Sequence, residues 1–313
     1  VAQHGAELLA IARANNVNYL FEASVGGGIP IIRPLHSCLA ANRIEEVIGI
    51  LNGTTNFILT KMFREGMSFE SALALAQRLG YAERDPAADV EGHDACRKIC
   101  ILASLAFGEH VYPHDVSAEG ITKITSEDVA YAASCGCVIK LIGAARRGEG
   151  GKRMTAYVAP AFINRETQLG TIDDVFNGIL VRGDATGDVV FYGKGAGKLP
   201  TASAVVSDMI ACAKADGSSA SMSWKPSQGG NVAPQGDHVT AMYLRCRAFE
   251  TNALEEAVKI FGKVKALSRP DKPTNEAAFI TPALTEREID DVCGKLAAAG
   301  VDILGKIRVL ADQ

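Results

Sequence analysis

The chain has 313 residues and eight cysteines, and no two of the cysteines form a C-x-x-C pair. A structural zinc site is therefore not expected, and reduced thiols of a cytoplasmic protein are. There is no excess of basic charge: 32 Lys and Arg stand against 36 Asp and Glu, for a net charge of −4. That balance predicts no nucleic-acid partner. No apolar run is long enough to span a bilayer; the longest lies around residues 99–107. No basic leader with a small-residue cleavage site opens the chain. The first residue is Val1 rather than Met, inside an amphipathic helical pattern of Ala6, Leu8, Leu9, Ile11 and Ala12. A start inside an element is what a fragment would show.

What is present is the balance of a globular protein, 48% hydrophobic and 22% charged, with length for two or three domains. Residues 3–15 read as a helix and 17–23 as a short buried strand, one step of an α/β wind. Glu22 lies near the end of that strand, and Gly26, Gly27 and Gly28 follow it. Two readings of that turn stand beside a plain strand-to-helix turn. One is an anion-binding nest; the other is a set of carbonyls turned around a hard cation beside Glu22. Pro30 and Pro34 then open a helix to about Asn42.

Residues 45–51 read as a strand. Asn52-Gly53-Thr54-Thr55-Asn56 turns into a helix, with Thr54 or Thr55 as its cap or as a substrate contact. A helix over 68–79 follows. Next comes an acidic loop with Glu83, Arg84, Asp85, Asp89 and Glu91, and then a strongly apolar helix from Asp94 to Phe107. Asp94 and Lys98 are four apart, so they share one helix face. With Glu83 they could bind a zwitterion and move a proton; a surface ion pair beside an acidic loop is the plainer alternative.

From His110 the pattern becomes a mixed or antiparallel sheet covered by helices, with strands over 138–145, 154–160, 177–182 and 188–193 and a short helix over 126–135. The glycine run Gly193, Gly195 and Gly197 then enters a helix over 202–213, which suits a phosphate or dinucleotide as well as a plain turn. Residues 215–237 are rich in Gly, Ser and Pro and read as a linker. From His238 the order is strand, helix, strand, strand, helix, strand, a βαββαβ ferredoxin-like layout.

Four segments, FEASVGGGIPII, GILNGTTNFI, LGYAERDPAADVEGHDACRKICILA and YGKGAGKLPTASAVVSD, occur in this order over most of residues 1–213. Together they resemble homoserine dehydrogenase. The resemblance implies an α/β fold: a catalytic domain with a mixed sheet, a Rossmann-type nucleotide domain and a C-terminal ACT domain. The implied division gives residues 1–24 with 186–213 to the remainder of the dinucleotide-binding domain. It gives 25–185 to the catalytic and dimerisation domain, 214–237 to a linker and 238–313 to the ACT-like regulatory domain.

The implied reaction is NAD(P)H-dependent reduction of L-aspartate 4-semialdehyde to L-homoserine, on the route to threonine, isoleucine and methionine, by a homodimer or homotetramer. By the same resemblance Lys98 moves the proton, while Glu83, Asp94 and Thr54 bind substrate. Gly193, Gly195 and Gly197 touch the cofactor, NADP or NAD. Glu22 with the carbonyls of Val25, Gly27 and Ile29 holds a sodium ion. Threonine is the implied effector of the ACT-like part, whose first turn, residues 248–252, lacks the usual glycine. The family's N-terminal glycine fingerprint and its second catalytic lysine are not found in these 313 residues. The chain alone is therefore expected to be inactive; a non-catalytic amino-acid-binding or dimerisation protein is the alternative.

Overall fold

The computed structural model describes residues 1–148, 150, 153–215 and 222–310. Parts of the basic glycine turn near 150, of the expected linker and of the C-terminus lie outside the described residues. The centre of the fold is an antiparallel sheet. Its strands are β1 (Ile44–Ile50), β3 (Cys137–Arg146), β4 (Thr155–Asn164), β5 (Phe176–Gly183) and β6 (Gly187–Lys194). They lie in the order β6-β5-β1-β3-β4. A short β2 (Ser117–Ala118) pairs with β4.

Side chains along these strands alternate between two buried faces, as the two-residue period of a strand requires. On β1, Val47 enters one apolar cluster while Ile48 and Ile50 enter the other; on β3, Ile139 and Leu141 oppose Val138 and Ile142. Burial on both faces is why these strands read as continuous apolar runs. Helices α2 (Gly53–Glu65), α3 (Phe69–Arg78) and α5 (His93–Phe107) cover one face, joined by the short α4 (Ala87–Val90). Ile99 and Leu102 of α5 are fully buried there, each worth roughly 1.5–3 kcal/mol. Helix α6 (Ser126–Ser134) packs on the same side, opened by a Thr125–Asp128 capping box.

The C-terminal part is the expected βαββαβ unit: β7 (Val239–Ala248), α8 (Ala253–Phe261), β8 (Lys265–Leu267), β9 (Glu276–Ile280), α9 (Glu286–Ala298) and β11 (Val301–Val309). A two-residue β10 (Leu284–Thr285) pairs with β7. The order β11-β7-β9-β8 puts its fourth strand beside its first, then the third and the second. β11 also runs parallel to β4 through Arg308 and Val309, so the two sheets join edge to edge.

Buried charges reinforce that seam. Arg308 donates to both oxygens of Glu286 at 2.9 and 2.8 Å and to Glu119 at 2.9 Å. Asp128 of α6 accepts from Arg245 at 2.9 Å and from Tyr243 at 3.0 Å. Tyr131 donates to Glu276 at 2.9 Å.

The N-terminal helix α1 (Gly5–Ala14) and the late helix α7 (Lys198–Lys214) flank the body. Residues 17–23 are not a strand: 17–21 have no regular structure, and the chain then closes in a single turn, Glu22–Ser24. Among the described residues no strand lies beside them to satisfy their backbone groups, so local apolarity alone does not make them sheet. The helix expected up to Asn42 is shorter: it runs over residues 32–38, the last five, Pro34–Cys38, as a wide π-helical turn.

The Gly/Ser/Pro-rich connector is not a free linker over its described part. Met222, Trp224 and Val232 are buried. The Trp224 indole donates to His110 Nδ1 at 2.8 Å, and short backbone bridges tie Lys225 to Glu109 and Val232 to Met154.

Candidate active site

Helix α5 opens after Gly92, whose positive φ of 83° suits a residue without a Cβ. Asp94 sits in its first turn, where the helix dipole favours a carboxylate. Lys98 lies one turn on and donates to Asp94 Oδ2 at 2.7 Å and to the Leu51 carbonyl at 3.0 Å. Both side chains are largely buried, at 18% and 26% exposure. An ammonium has three N–H bonds. Among the described residues two of those of Lys98 have partners, which leaves one to meet a bound oxygen.

The Leu51 carbonyl comes from the end of β1, and the next residue caps α2. That cap is Asn52, not Thr54 or Thr55: its Oδ1 accepts from Thr55 N–H at 2.9 Å. Its Nδ2 donates to Asp94 Oδ2 at 3.0 Å and to Asp89 Oδ1 at 2.7 Å. One buried amide therefore opens α2 and holds two carboxylates together. Thr54 Oγ1 donates to the Tyr81 carbonyl at 2.6 Å, and the Phe57 and Tyr81 rings meet at 5.1 Å. These contacts pin the loop that carries Glu83. Gln77 donates to the Glu83 carbonyl at 3.0 Å, and the Glu83 side chain is exposed. The structure thus unites Asp94, Lys98 and Asn52 directly and brings Thr54 to the Glu83 loop. Among the described residues no hydrogen bond joins the Glu83 carboxylate to the others.

Beneath α2 lies a polar network that local sequence did not reveal. Buried Lys140 of β3 donates to Asn56 at 3.0 Å, to the Ile172 carbonyl at 2.5 Å and to Asp173 at 3.2 Å. Burial pushes its ammonium pKa down, with Asp173 opposing. Asn56 in turn donates to the carbonyls of Ile172, Asp174 and Phe176. The start of α2 is thereby fixed to the loop before β5.

The late glycines sit across from this point. Gly193 pairs with Asn177 in the β5–β6 ladder, and Gly197 is the cap of α7 with φ 117°. A Cβ on Gly195 would lie 2.0 Å from the Asn177 amide, and one on Gly53 would lie 3.5 Å from its oxygen. Asn177, 1% exposed, therefore stands between the glycine run and the first residue of α2. The path from Gly195 to Lys98 is short: Asn177, Gly53, Asn52, Asp94.

The early glycine turn has a packing reason. A Cβ on Gly27 would meet the Gly195 carbonyl at 2.4 Å, and Gly28 N–H donates to the Lys194 carbonyl at 3.1 Å. The two glycine turns lie back to back. Glu22, 2% exposed, accepts from Ile31 and Ile32 N–H at 2.6 and 2.8 Å through Oε1. Its Oε2 accepts from Arg33 N–H at 2.9 Å and from Arg33 Nε at 3.3 Å. A carboxylate has about four lone-pair positions, and all are occupied by donors. In this arrangement the Glu22 carboxylate closes the N-terminal end of the following turn, and a cation beside Val25, Gly27 and Ile29 would rest on carbonyl oxygens rather than on this carboxylate. Glu22 N–H also donates to Asp208 of α7 at 2.8 Å, where burial raises the Asp208 pKa.

The first turn of α7 offers the N–H groups of Lys198 and Leu199, Pro200 having none, with exposed Lys194 and Lys198 alongside. That set fits one edge of a phosphate-bearing cofactor.

Residues 30–210 match the family model described as homoserine dehydrogenase. The chain is 51% identical over 212 residues to homoserine dehydrogenase of Synechocystis, covering 67% of this chain and 49% of that protein. It superposes with a TM-score of 0.90 on a homoserine dehydrogenase from Thiobacillus denitrificans, at 37% identity, over 100% of this chain and 74% of that one. A hyperthermophilic archaeal homoserine dehydrogenase mutant in complex with NADPH matches at a TM-score of 0.57 and 30% identity, over 66% of this chain and 59% of that one. The chain spans about half the length of the Synechocystis relative.

Proposed function

The chain belongs to the homoserine dehydrogenase family, and from that premise we propose that it forms the substrate side of an enzyme reducing L-aspartate 4-semialdehyde to L-homoserine. The observation that carries the reading is the Asp94–Lys98 pair on the first turns of α5, with one ammonium N–H directed to neither Asp94 nor Leu51. Addition of hydride to an aldehyde carbon builds negative charge on its oxygen. Lys98 places an acidic N–H at that oxygen and transfers the proton; Asp94 and the Leu51 carbonyl hold the ammonium in position. In the reverse direction the same nitrogen accepts the hydroxyl proton of homoserine.

The substrate also carries an ammonium group, which needs carboxylates. Asp89, held against Asp94 by Asn52, and Glu83 on the Tyr81 loop supply them. Thr54 acts by tying that loop to α2, since its proton is given to Tyr81. A nicotinamide cofactor, when bound, supplies the hydride; the related archaeal mutant is described with NADPH. Gly193, Gly195 and Gly197 let the backbone approach it, and Asn177 keeps their turn against α2.

The relatives are longer than this chain. Apolar side chains are exposed on α1 and on α7, with Ile11 at 52% and Met209 at 64%. We assign these exposed side chains to the seat of the remaining part of a dinucleotide-binding domain. Residues 1–24 with 186–213 then belong to that domain, 25–185 to a catalytic and dimerising unit, and 238–313 to an ACT-like regulatory unit with threonine as its effector. A cytoplasmic homodimer or homotetramer in threonine, isoleucine and methionine synthesis completes the proposal.

The test has two readouts. NADPH fluorescence titration of these 313 residues should show no saturable binding, while the complete protein should oxidise homoserine with NAD(P). Saturable NADPH binding with turnover by the 313 residues alone would overturn the division of the site. A complete protein inert toward homoserine would overturn the activity.

A further inference from the structure

Ser134-Cys135-Gly136-Cys137 lies where α6 ends and β3 begins, and neither cysteine has a role in the site or the seam above. Cys135 closes α6, and its thiol donates to the Ala132 carbonyl at 3.3 Å. Gly136 has φ 77°, a left-handed conformation that folds the chain back on itself. Cys137 follows as the first residue of β3, and its thiol donates to the Cys135 carbonyl at 3.8 Å. The two side chains share one tight turn, with the Cys137 sulfur 3.8 Å from the Cys135 carbonyl oxygen. Both residues are half-buried, whereas Cys96 and Cys100, also close in sequence, are buried inside α5.

We propose that Cys135 and Cys137 form a dithiol site that exchanges with small disulfides of the glutathione class and closes to an intramolecular disulfide. The Cys135 thiolate attacks one sulfur of the small disulfide. A Cys135–S bond forms, the S–S bond breaks, and one small thiolate leaves and takes up a proton. Cys137 then loses its proton and attacks the Cys135 sulfur, expelling the second small thiol. The protein pair gives up two electrons and two protons, and the small disulfide becomes two thiols.

Cys135 is suited to attack first. The neighbouring Cys137 thiol lowers its pKa to about 7 against the opposing effect of burial, and Lys265 on β8 adds favourable charge. A thiol whose pKa lies near ambient pH combines a useful thiolate fraction with nucleophilicity. The site adjoins the seam between the two sheets: α6 carries Asp128 and Tyr131, which hold Arg245, Tyr243 and Glu276.

The test treats the full chain with glutathione disulfide, blocks remaining thiols with N-ethylmaleimide, unfolds the protein and digests it with trypsin. The peptide spanning 124–140 carries these two cysteines and no others, between Lys123 and Lys140. The expected result is a peptide lighter by two hydrogens, unlabelled, that takes two labels after dithiothreitol. Cys137→Ser should trap the glutathione adduct on Cys135, at least about tenfold faster than Cys135→Ser forms one on Cys137. A wild-type peptide that stays doubly labelled, or one that stops at the mixed disulfide, would overturn the proposal. Equal rates in the two variants would overturn the assignment of Cys135 as the attacking thiol.

Discussion

Asn52 Nδ2 donates to Asp94 Oδ2 at 3.0 Å, and the same nitrogen reaches Asp89 Oδ1 at 2.7 Å while Asn52 Oδ1 caps α2. One side chain thus couples a helix end to the carboxylates of the site. Replacing it affects both.

Asn52→Ala should lower the unfolding free energy by about 1–2 kcal/mol, the cost of a lost N-cap. It should also raise the KM for homoserine in the complete enzyme, because Asp89 and Asp94 lose the donor that holds them together. Urea unfolding and steady-state kinetics measure the two. Unchanged stability with unchanged KM would remove Asn52 from both roles.

Arg308→Met should destabilise the chain by about 3–5 kcal/mol, because it leaves Glu286 buried without its partner. The comparison is again by urea unfolding. A loss below about 1 kcal/mol would mean that the seam between β4 and β11 does not rest on this pair.

Glu22→Gln should cost roughly 1.5–3 kcal/mol, since donors from Ile31, Ile32 and Arg33 lose a charged acceptor and one amide nitrogen faces N–H groups. Thermal unfolding of the variant checks this. A neutral effect would contradict the capping role.

Acid should weaken the fold early. Burial lowers the pKa of His110 and of His238, and the Trp224 indole already occupies His110 Nδ1. In the unfolded chain both titrate near 6.5, so below about pH 6.5 the unfolded state binds more protons. The stability is fully present above that value. It falls as pH drops through 6.5 toward the lower folded pKa values, by up to about 1.4 kcal/mol per pH unit for each histidine. Denaturant titrations from pH 8 to 5 measure the slope. Stability that is flat or rises over that window would refute the assignment, and His238→Asn should reduce the slope.

Much of the fold was legible because its signals are local. The apolar runs of β3 and β5 and the βαββαβ order after His238 follow from residue type, side-chain period and turn residues. The Asp94–Lys98 pair follows from helix spacing alone. What stayed hidden depends on long-range contact. Residues 17–23 have the composition of a strand but no neighbouring strand among the described residues. Trp224 is buried inside a stretch whose Gly, Ser and Pro content suggests an exposed linker. Asn52 was passed over because Thr54 and Thr55 are equally good caps by residue type. Asn177 and Lys140 are single polar residues in apolar strands, with no local sign of the glycines and carbonyls they meet. The donors around Glu22 are not legible locally, because a carboxylate beside glycines suits a cation as well as it suits backbone N–H groups.

The central claim is that Lys98 transfers the proton at the substrate oxygen. Steady-state kinetics of Lys98→Met in the complete enzyme test it most directly, with circular dichroism to confirm the fold. The account predicts that kcat falls by about 10²–10⁴ while the KM for the nicotinamide cofactor stays unchanged. A variant that folds and keeps kcat within about fivefold of the parent, well short of the loss expected for a general acid, would contradict it.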